Sequence, residues 1–213
     1  VMMAGAEPVF VDVEEDGFCL DPEKVEAAIT DRTKAIHPVH LYGELADLPS
    51  LLEITERNNL VLIEDSAQAH CAEEWGGRAG SFGSSGWFSF YPTKNMTTSE
   101  GGIVTTNDSN IAEQCKIMRA HGMSAQYQHD DFGYNYRMTD ISAAIGRVQL
   151  KKLASFNSRR REIAKYYSEM LSNHVQTPKN RRGHVFHQYT ILCEDRDSLR
   201  SYLNHNGVGS GIY

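Results

Sequence analysis

Short apolar runs alternate along this chain with longer stretches in which apolar residues recur at helical spacing. The apolar runs predict strands at residues 8–13, 35–41, 61–63, 87–90, 102–106 and 185–193. The periodic stretches predict helices at residues 22–29, 49–58, 109–121, 140–150, 153–171 and 197–205. Because strands and helices alternate, the pattern predicts an α/β fold with a mostly parallel sheet flanked by helices.

Helix-capping residues support several of these boundaries. Asp21 precedes a first-turn proline, and Asp108 and Thr139 each precede another predicted helix. The long helix at 153–171 is typical of a connector between domains. The sequence therefore predicts a large α/β domain at residues 1–152 and a small α/β domain at residues 153–213.

The stretch from residue 61 to residue 102 holds the side chains with the clearest chemical character. Its first strand ends in Glu64 and Asp65, and its second strand is followed by Lys94. Glycines between these strands allow the backbone to approach a ligand closely. Ligands of open α/β sheets bind at the carboxyl ends of the strands, so Asp65 and Lys94 are predicted to face one cleft.

An aspartate and a lysine in one cleft suit the chemistry of pyridoxal phosphate (PLP). A desolvated lysine loses its proton readily and forms a Schiff base with an aldehyde. A carboxylate keeps a pyridine nitrogen protonated, so that the ring acts as an electron sink. The pattern by itself leaves a plainer alternative open, in which Lys94 is a surface residue and Asp65 caps the next helix.

Several longer motifs follow one another along the chain: VHLYGELADL, IEDSAQAHCAEEWGGRAGSFGSSGWFSFYPTKNMTTSEGGIVTTND, RAHGMSAQYQHDDFGYNYRMTDISAAIGRVQL and FNSRRREIAKYY. Together they resemble the PLP-dependent nucleotide-sugar aminotransferases of the DegT/StrS family, a branch of the fold-type I aminotransferases. The resemblance covers nearly the whole chain. It implies the PLP-binding large domain of that fold, followed by part of a small α/β domain.

The resemblance implies roles for four residues of the central stretch. Lys94, in SFYPTKN, would form the Schiff base and then act as the base that moves the substrate proton. Asp65 would pair with the pyridine nitrogen, Gln68 would contact the cofactor hydroxyl, and Ser89 would bind the cofactor phosphate. A surface glutamine and a solvent-facing strand serine are the plainer alternatives for Gln68 and Ser89.

Four further residues are candidates for contacts to phosphate or substrate. The resemblance implies that Asn135, in GYNYRM, reaches across a dimer interface to the partner's phosphate, which makes the protein a homodimer with shared active sites. A turn asparagine is the alternative. Arg137 is a candidate for holding a phosphate or an interface carboxylate. His40 and Tyr42, in VHLYG, are candidate sugar or cofactor contacts, although a strand-end tyrosine is just as often a packing residue.

Composition and charge narrow the classes of function. The 213 residues are 40% hydrophobic and carry a net charge of −7, which is typical of a soluble globular protein and disfavours a nucleic-acid surface. Four cysteines without paired spacing are predicted to be reduced core thiols, and neither disulfides nor a zinc site nor another metal site is predicted. Without an apolar run of membrane-spanning length or a signal peptide, the prediction is a cytoplasmic protein with no membrane contact.

Both ends of the sequence are expected to be truncated. The chain begins at VMMAGAEPVFVDV and stops at GVGSGIY, where another strand is predicted to begin. In the family, the preceding segment carries a Gly-Thr turn of the phosphate cup and part of the substrate pocket. We therefore expect both of these to lie outside this sequence.

Three functions are consistent with the resemblance. The first is an aminotransferase that moves an amino group from L-glutamate to a keto group of a nucleotide-linked sugar, for cell-surface polysaccharide or glycan biosynthesis. The second is a related PLP-dependent sugar dehydratase, but those relatives carry histidine where this chain has Lys94. The third is a PLP-binding regulator without turnover, against which the intact set of Lys94, Asp65 and Gln68 argues.

Overall fold

The computed structural model describes residues 1–181 and 183–213. Its strands are β1 (Ala35–Ile36), β2 (Val61–Asp65), β3 (Glu73–Glu74), β4 (Gly77–Arg78), β5 (Ser85–Ser89), β6 (Gly102–Thr105), β7 (Met123–Ala125) and β8 (Gln128–His129). The central sheet has the order β1-β2-β5-β6. β1, β2 and β5 run parallel, and β6 runs antiparallel to β5. The prediction of a mostly parallel α/β sheet is therefore confirmed.

The α-helices are α1 (Pro22–Ala27), α2 (Leu48–Asn58), α3 (Ser109–Met118), α4 (Asp140–Leu171) and α5 (Arg196–His205), with 3₁₀ turns at Met2–Ala4 and Leu41–Gly43. The predicted caps are present. The Asp21 side chain accepts from the backbone N–H of Glu23, and the Thr139 hydroxyl accepts from that of Ser142. Each cap satisfies an N–H that lacks a partner within its helix.

Two predicted strands do not form. Residues 8–13 contribute only an isolated bridge between Val13 and Leu20, and residues 185–193 contribute only a bridge between Gln176 and Leu192. Val185 is nevertheless fully buried. Val185 packs into the core without joining a sheet, which apolar periodicity alone does not distinguish from a strand.

Two predicted helices are one continuous helix. α4 runs from Asp140 to Leu171 without a break at Lys151 and Lys152, because lysine is a good helix former. The predicted domain boundary at residue 152 falls inside this helix, and the two-domain division stays a prediction.

The main core lies between α2 and the sheet. Leu48, Leu51 and Ile54 of α2 are buried in one cluster with Ile36 of β1 and Leu62 of β2. Full burial of one such side chain contributes about 1.5–3 kcal/mol, so this cluster is a large part of the stability of the domain. A smaller cluster joins α4 to the segment after β5 and contains Phe90, Met96 and Leu153.

Some apolar residues remain exposed in the described part of the chain. Apolar residues in the first part of α4 are largely uncovered, since Ile141 is 77% exposed and Val148 is 53% exposed. Ile103 and Val104 of β6 are also exposed. Exposed apolar side chains of this kind are typical of surfaces that contact another polypeptide when they lie together.

The structure also bears on the predictions about cysteines, metal sites and membrane-spanning helices. The four cysteines are free, and the prediction that they are core thiols is confirmed for Cys19 alone, since Cys115 and Cys193 are half-buried and Cys71 is exposed. Among residues 1–181 and 183–213, no three histidine, cysteine or carboxylate side chains are grouped as a metal ion requires. None of the helices in that same part of the chain combines the length and apolarity needed to cross a bilayer.

Glu64 is a fully buried carboxylate that accepts four hydrogen bonds. His40 Nε2 lies 3.0 Å from Oε2, and the backbone N–H of Gly80 donates to the same oxygen at 2.8 Å. The backbone N–H groups of Phe82 and Gly83 donate to Oε1 at 2.7 Å each. The glycine-rich loop between β4 and β5 is therefore folded around one acceptor.

The protonation of this buried pair follows from its partners. His40 Nδ1 accepts from the backbone N–H of Ala46, so the ring proton lies on Nε2 and is donated to Glu64. Burial by itself would raise the pKa of Glu64. The hydrogen bonds from His40, Gly83 and Gly80 outweigh burial and hold the pKa below its ordinary value.

Two glycines allow the loop to close over Glu64. Gly80 has φ +76°, and a Cβ there would lie 2.8 Å from the ring of Phe88. A Cβ on Gly86 would overlap the Cα of Gly80. A larger residue at either position would push the loop away from the carboxylate.

The substitution Glu64→Gln is expected to lower the free energy of unfolding of the full-length protein by about 3 kcal/mol, because an amide NH₂ offers no lone pair to the backbone donors. Urea unfolding at neutral pH measures this loss. The folded-state pKa of Glu64 is lowered, so its contribution is present above the ordinary value of 4.5 and is lost as the pH falls below it. The difference between wild type and variant should therefore shrink in acid.

The exposed Glu113 provides the matched control. Its carboxylate pairs with Lys116 at 3.2 Å on the surface of α3. We expect Glu113→Gln to change the free energy of unfolding by less than about 1 kcal/mol. Equal effects of the two substitutions would contradict the role assigned to Glu64.

Candidate active site

The carboxyl ends of neighbouring parallel strands meet at one edge of the sheet. Asp65 is the last residue of β2 and pairs in register with Trp87, so Ser89 at the end of β5 lies at the same edge. The backbone N–H of Ser66 donates to the Trp87 carbonyl at 2.9 Å, and that of His40 donates to the Asp65 carbonyl at 3.0 Å. The segments that leave β1, β2 and β5 are thereby held together.

Asp65 is half-buried at this edge. Its Oδ1 accepts from the backbone N–H of Ala67 at 3.0 Å, whereas Oδ2 has no hydrogen bond from residues 1–181 or 183–213. Burial raises the pKa of Asp65, and the Ala67 N–H and the charges of nearby groups, including Lys94, offset part of this effect. A cation that reached the free oxygen would stabilise the ionised carboxylate.

Lys94 lies in a turn that follows β5. Its backbone N–H donates to the Tyr91 carbonyl at 3.0 Å, and its side chain is half-buried. Within the described ranges, no carboxylate lies within the 4.0 Å of an ion pair with its Nζ. The charge of Lys94 is therefore close enough to lower the pKa of Asp65, although the two side chains form no direct ion pair.

Ser89 is held by two hydrogen bonds. Its hydroxyl oxygen accepts from the backbone N–H of Tyr91 at 3.3 Å, and its carbonyl accepts from His70 Nε2 at 2.9 Å. Because the hydroxyl acts as an acceptor toward Tyr91, its own hydrogen is free to be donated. An anionic oxygen is a suitable acceptor for it.

Gln68 supports an unusual backbone conformation at Tyr42. Tyr42 has φ +59°, and its backbone N–H donates to Gln68 Oε1 at 2.7 Å. The Tyr42 ring is buried and packs edge-on against Phe18 and Tyr213, at centroid distances of 5.1 and 5.8 Å. Gln68 therefore has its amide N–H₂ left for a ligand, and the packing alternative for Tyr42 is favoured.

His40 requires a correction. Its side chain has no exposed surface, and both ring nitrogens are occupied, one by Glu64 and the other by the Ala46 N–H. This geometry does not fit the predicted contact to sugar or cofactor. We interpret His40 as a structural residue that ties the segment after β1 to β2.

Asn135 and Arg137 lie apart from the four residues above. Both are exposed, and Arg137 Nη2 donates to Asn135 Oδ1 at 3.2 Å. The backbone at Asn135 bridges to Ala120 beside the end of α3, and Tyr134 stacks on Tyr136 at 4.7 Å. The structure therefore presents this amide and guanidinium on the outer surface of the chain.

The sequence did not reveal a buried amide beside Lys94. Asn95 Nδ2 donates to Asn157 Oδ1 at 2.9 Å and to the Val185 carbonyl at 3.2 Å, and its Oδ1 lies 3.0 Å from His187 Nδ1. One signal was present. Asn157 occurs four residues after the buried Leu153, so a polar side chain falls on an apolar face of the helix.

Comparison with known protein families matches residues 1–213 to the DegT/DnrJ/EryC1/StrS aminotransferase family. The chain belongs to this family. The family predicted from the sequence motifs is thereby confirmed.

Individual DegT-family relatives are similar over the whole chain. Identity is 43% over 220 residues to "Pleiotropic regulatory protein" of Geobacillus stearothermophilus, and 42% over 217 residues to UDP-N-acetyl-3-dehydro-alpha-D-glucosamine 3-aminotransferase of Acidithiobacillus ferrooxidans. The crystal structure of S. venezuelae DesV in complex with a ketimine intermediate superposes with a TM-score of 0.93 at 40% identity, covering 98% of this chain and 57% of DesV. The chain spans 59% of the length of the two curated relatives.

The residues present in this DegT-family chain fit PLP by the chemistry of their donors. A carboxylate with a free oxygen suits a protonated pyridine nitrogen, and an amine without an ion-pair partner suits an aldehyde. The free hydroxyl hydrogen of Ser89 suits a phosphate oxygen, and the free amide of Gln68 suits a ring hydroxyl. All four groups come from segments joined at one sheet edge.

Three buried histidines of this chain predict a pH dependence of stability. Burial lowers the pKa of His70, His184 and His187 to about 4 each, and the Lys94 charge contributes at His70 and His187. Below about pH 6.5 these histidines bind protons in the unfolded chain but not in the folded chain. The free energy of unfolding is therefore highest above that pH and decreases as the pH falls to about 4. Urea unfolding between pH 7 and pH 4 checks this.

His70→Gln is the informative variant for this prediction. A glutamine amide can still donate to the Ser89 carbonyl but does not titrate. We expect it to remove about a third of the acid-induced loss, if the three histidines contribute equally. His174→Gln changes an exposed histidine and is the control. An unchanged pH slope in His70→Gln would contradict the assignment.

Proposed function

We propose that the full-length protein is a PLP-dependent aminotransferase that transfers an amino group to a keto group of a nucleotide-linked sugar. The observation that carries this proposal is the meeting of Asp65, Ser89 and the Lys94 turn at one carboxyl edge of parallel strands. Family membership and the similarity to an aminotransferase that acts on a UDP-linked sugar support it.

Each residue has a defined task in this proposal. Bound PLP supplies an aldehyde for covalent attachment and a ring that accepts electrons. Lys94 provides the amine and carries the proton that leaves the substrate carbon. Asp65 holds a proton on the pyridine nitrogen through its free Oδ2. Ser89 donates its hydroxyl hydrogen to the phosphate, and Gln68 donates its amide hydrogen to the ring hydroxyl.

The substrates are part of the same proposal. We assign L-glutamate as the amino donor and a nucleotide-linked keto sugar as the acceptor, within biosynthesis of amino sugars for cell-surface polysaccharides or glycans. The A. ferrooxidans relative supports the acceptor class, because its name specifies an oxidised, UDP-linked glucosamine.

We further propose a homodimer with shared active sites. Asn135 and Arg137 together offer an amide and a positive charge on the outer surface, as a phosphate held in a partner's site requires. Aromatic side chains close to this pair in the sequence are also exposed, since Phe132 is 70% exposed and Tyr136 is 67% exposed. An exposed apolar surface of this kind is typical of a protein interface.

A regulator without turnover is the second candidate. The similarity to "Pleiotropic regulatory protein" favours it. The open Oδ2 of Asp65 and the unpaired amine of Lys94 within the described residues favour the enzyme, because a regulator has no need of a mobile proton carrier. The dehydratase candidate is disfavoured by lysine, rather than histidine, at position 94.

Lys94→Ala is expected to abolish covalent attachment of PLP and to reduce amino transfer by at least about a thousandfold, since it removes both the amine and the base. Borohydride reduction of the full-length protein, followed by peptide mass analysis, locates the attachment. The exposed Lys165 is the control, and Lys165→Ala should retain both properties. A phosphopyridoxyl adduct at Lys94 without any amino transfer would favour the regulator.

Asn135→Ala is expected to weaken PLP binding about tenfold, because it removes one hydrogen bond to the partner's phosphate. Absorbance titration of the cofactor-free dimer measures the affinity, and sedimentation verifies that the variant is still a dimer. The exposed Asn173→Ala is the control. Unchanged affinity in a dimeric Asn135→Ala protein would contradict a shared phosphate site.

A further inference from the structure

Two buried amides meet beside the lysine of the candidate active site. Asn95 follows Lys94 directly and is 3% exposed, and Asn157 of α4 is 2% exposed. They are 62 positions apart in the sequence, and their side chains form a 2.9 Å hydrogen bond. Burying two amides is unfavourable unless their hydrogen bonds are satisfied, so this pair is a specific feature and not general packing.

Backbone carbonyls determine the polarity of the pair. The Val185 carbonyl can only accept, so it faces Asn95 Nδ2 at 3.2 Å. The His70 carbonyl likewise faces Asn157 Nδ2 at 2.9 Å, which leaves Asn157 Oδ1 to accept from Asn95. Flipping either amide would place two acceptors against each other. The hydrogen bonds therefore have one arrangement.

The pair connects the lysine turn to the predicted phosphate contact. Asn157 binds the carbonyl of His70, and the His70 ring donates from Nε2 to the carbonyl of Ser89. Asn95 is thus linked to the backbone of Ser89 by hydrogen bonds through Asn157 and His70. The segments that contain Lys94 and Ser89 are therefore both held by Asn157 of helix α4.

His187 holds the opposite side of Asn95. Its Nδ1 hydrogen is donated to Asn95 Oδ1 at 3.0 Å, because that oxygen has no hydrogen to give. Arg160, also in α4, donates to the carbonyls of Phe186 and His187 at 3.1 and 3.2 Å. Helix α4 therefore fixes Asn95 directly through Asn157 and indirectly through the segment that contains His187.

From this geometry we infer that Asn95, Asn157 and His187 are positioning residues that set the place of Lys94 relative to Ser89. The inference rests on the proposed function for the role of Lys94. None of the three needs to touch a substrate. Their effect is to hold the lysine turn in one geometry, and small displacements of a reacting group are costly in rate.

A double-mutant cycle in the full-length holoenzyme tests the inference. The variants are Asn95→Ala, Asn157→Ala and the double substitution, and the reaction is amino transfer from L-glutamate to bound PLP under single-turnover conditions. We expect each single variant to lower the maximal rate constant about tenfold or more, with the half-saturating glutamate concentration changed less than about threefold. The double variant should be no slower than the slower single variant.

The pH dependence of the cofactor absorption band adds a spectroscopic measurement. In both single variants, the pH at which the band changes should shift, because the lysine nitrogen loses its set position. The effects of residues that act as a unit are not additive, so multiplicative rate losses in the double variant would overturn the inference. An unshifted absorption band in the single variants would also overturn it.

Hydrogen exchange in the cofactor-free protein separates this inference from the proposed function. Mass spectrometry of a peptide that covers residues 91–97 should show exchange about tenfold faster in Asn157→Ala than in wild type. Unchanged exchange would overturn the positioning role. A wild-type protein that fails to react with L-glutamate would count against the proposed donor and function, whereas the exchange result decides the positioning role in either case.

Two further variants separate the positioning role from general destabilisation, one as a control and one as a second test. The exposed Asn58 donates to the Ile54 carbonyl in α2, so Asn58→Ala removes an asparagine hydrogen bond far along the chain and should leave the rate and the absorption band unchanged. His187→Phe keeps an aromatic ring but removes the donor to Asn95. If Asn157→Ala does not fold, His187→Phe should still accelerate exchange at 91–97, and its failure to do so would overturn the inference.

Discussion

The buried carboxylate of Glu64 is the constraint on which the carboxyl edge of the sheet depends. The carboxylate accepts one hydrogen bond from His40, in the segment after β1, and three from backbone N–H groups of the glycine-rich loop before β5. A buried anion tolerates no missing donor, so the loop has to close in one way. The position at which β5 starts, and hence the position of Ser89 and Lys94, follows from that closure.

Glu64 and Asp65 are adjacent acids with different tasks because a strand alternates its faces. Glu64 points into the core and is saturated with hydrogen bonds, whereas Asp65 stays half-buried with one oxygen free. Saturation also keeps the pKa of Glu64 low, while burial with fewer donors raises the pKa of Asp65. The first acid builds the edge of the sheet, and the second is left for the proposed chemistry.

Helix α4 links the two parts of the chain that the sequence analysis separated. It continues past residue 152, contributes Leu153 to the cluster beneath Phe90, and contributes Asn157 to the amide pair beside Lys94. A helix is a stiff element, so two contacts one turn apart determine its orientation there. The lysine turn is thereby supported by a rigid neighbour instead of by its own short segment.

The sequence by itself determined the local features of this protein. Capping residues located the helix starts, apolar runs located the sheet strands, and the motifs around Asp65 and Lys94 identified the family, because each signal lies within a few neighbouring residues. Only the tertiary structure decided that His40 is a core residue, that Val185 packs without a strand, and that Asn157 supports the lysine turn. The deciding contacts join His40 to Glu64, Val185 to Asn95 and Asn157 to Asn95, which are 24, 90 and 62 positions apart, and no local pattern shows which distant polar groups will satisfy one another.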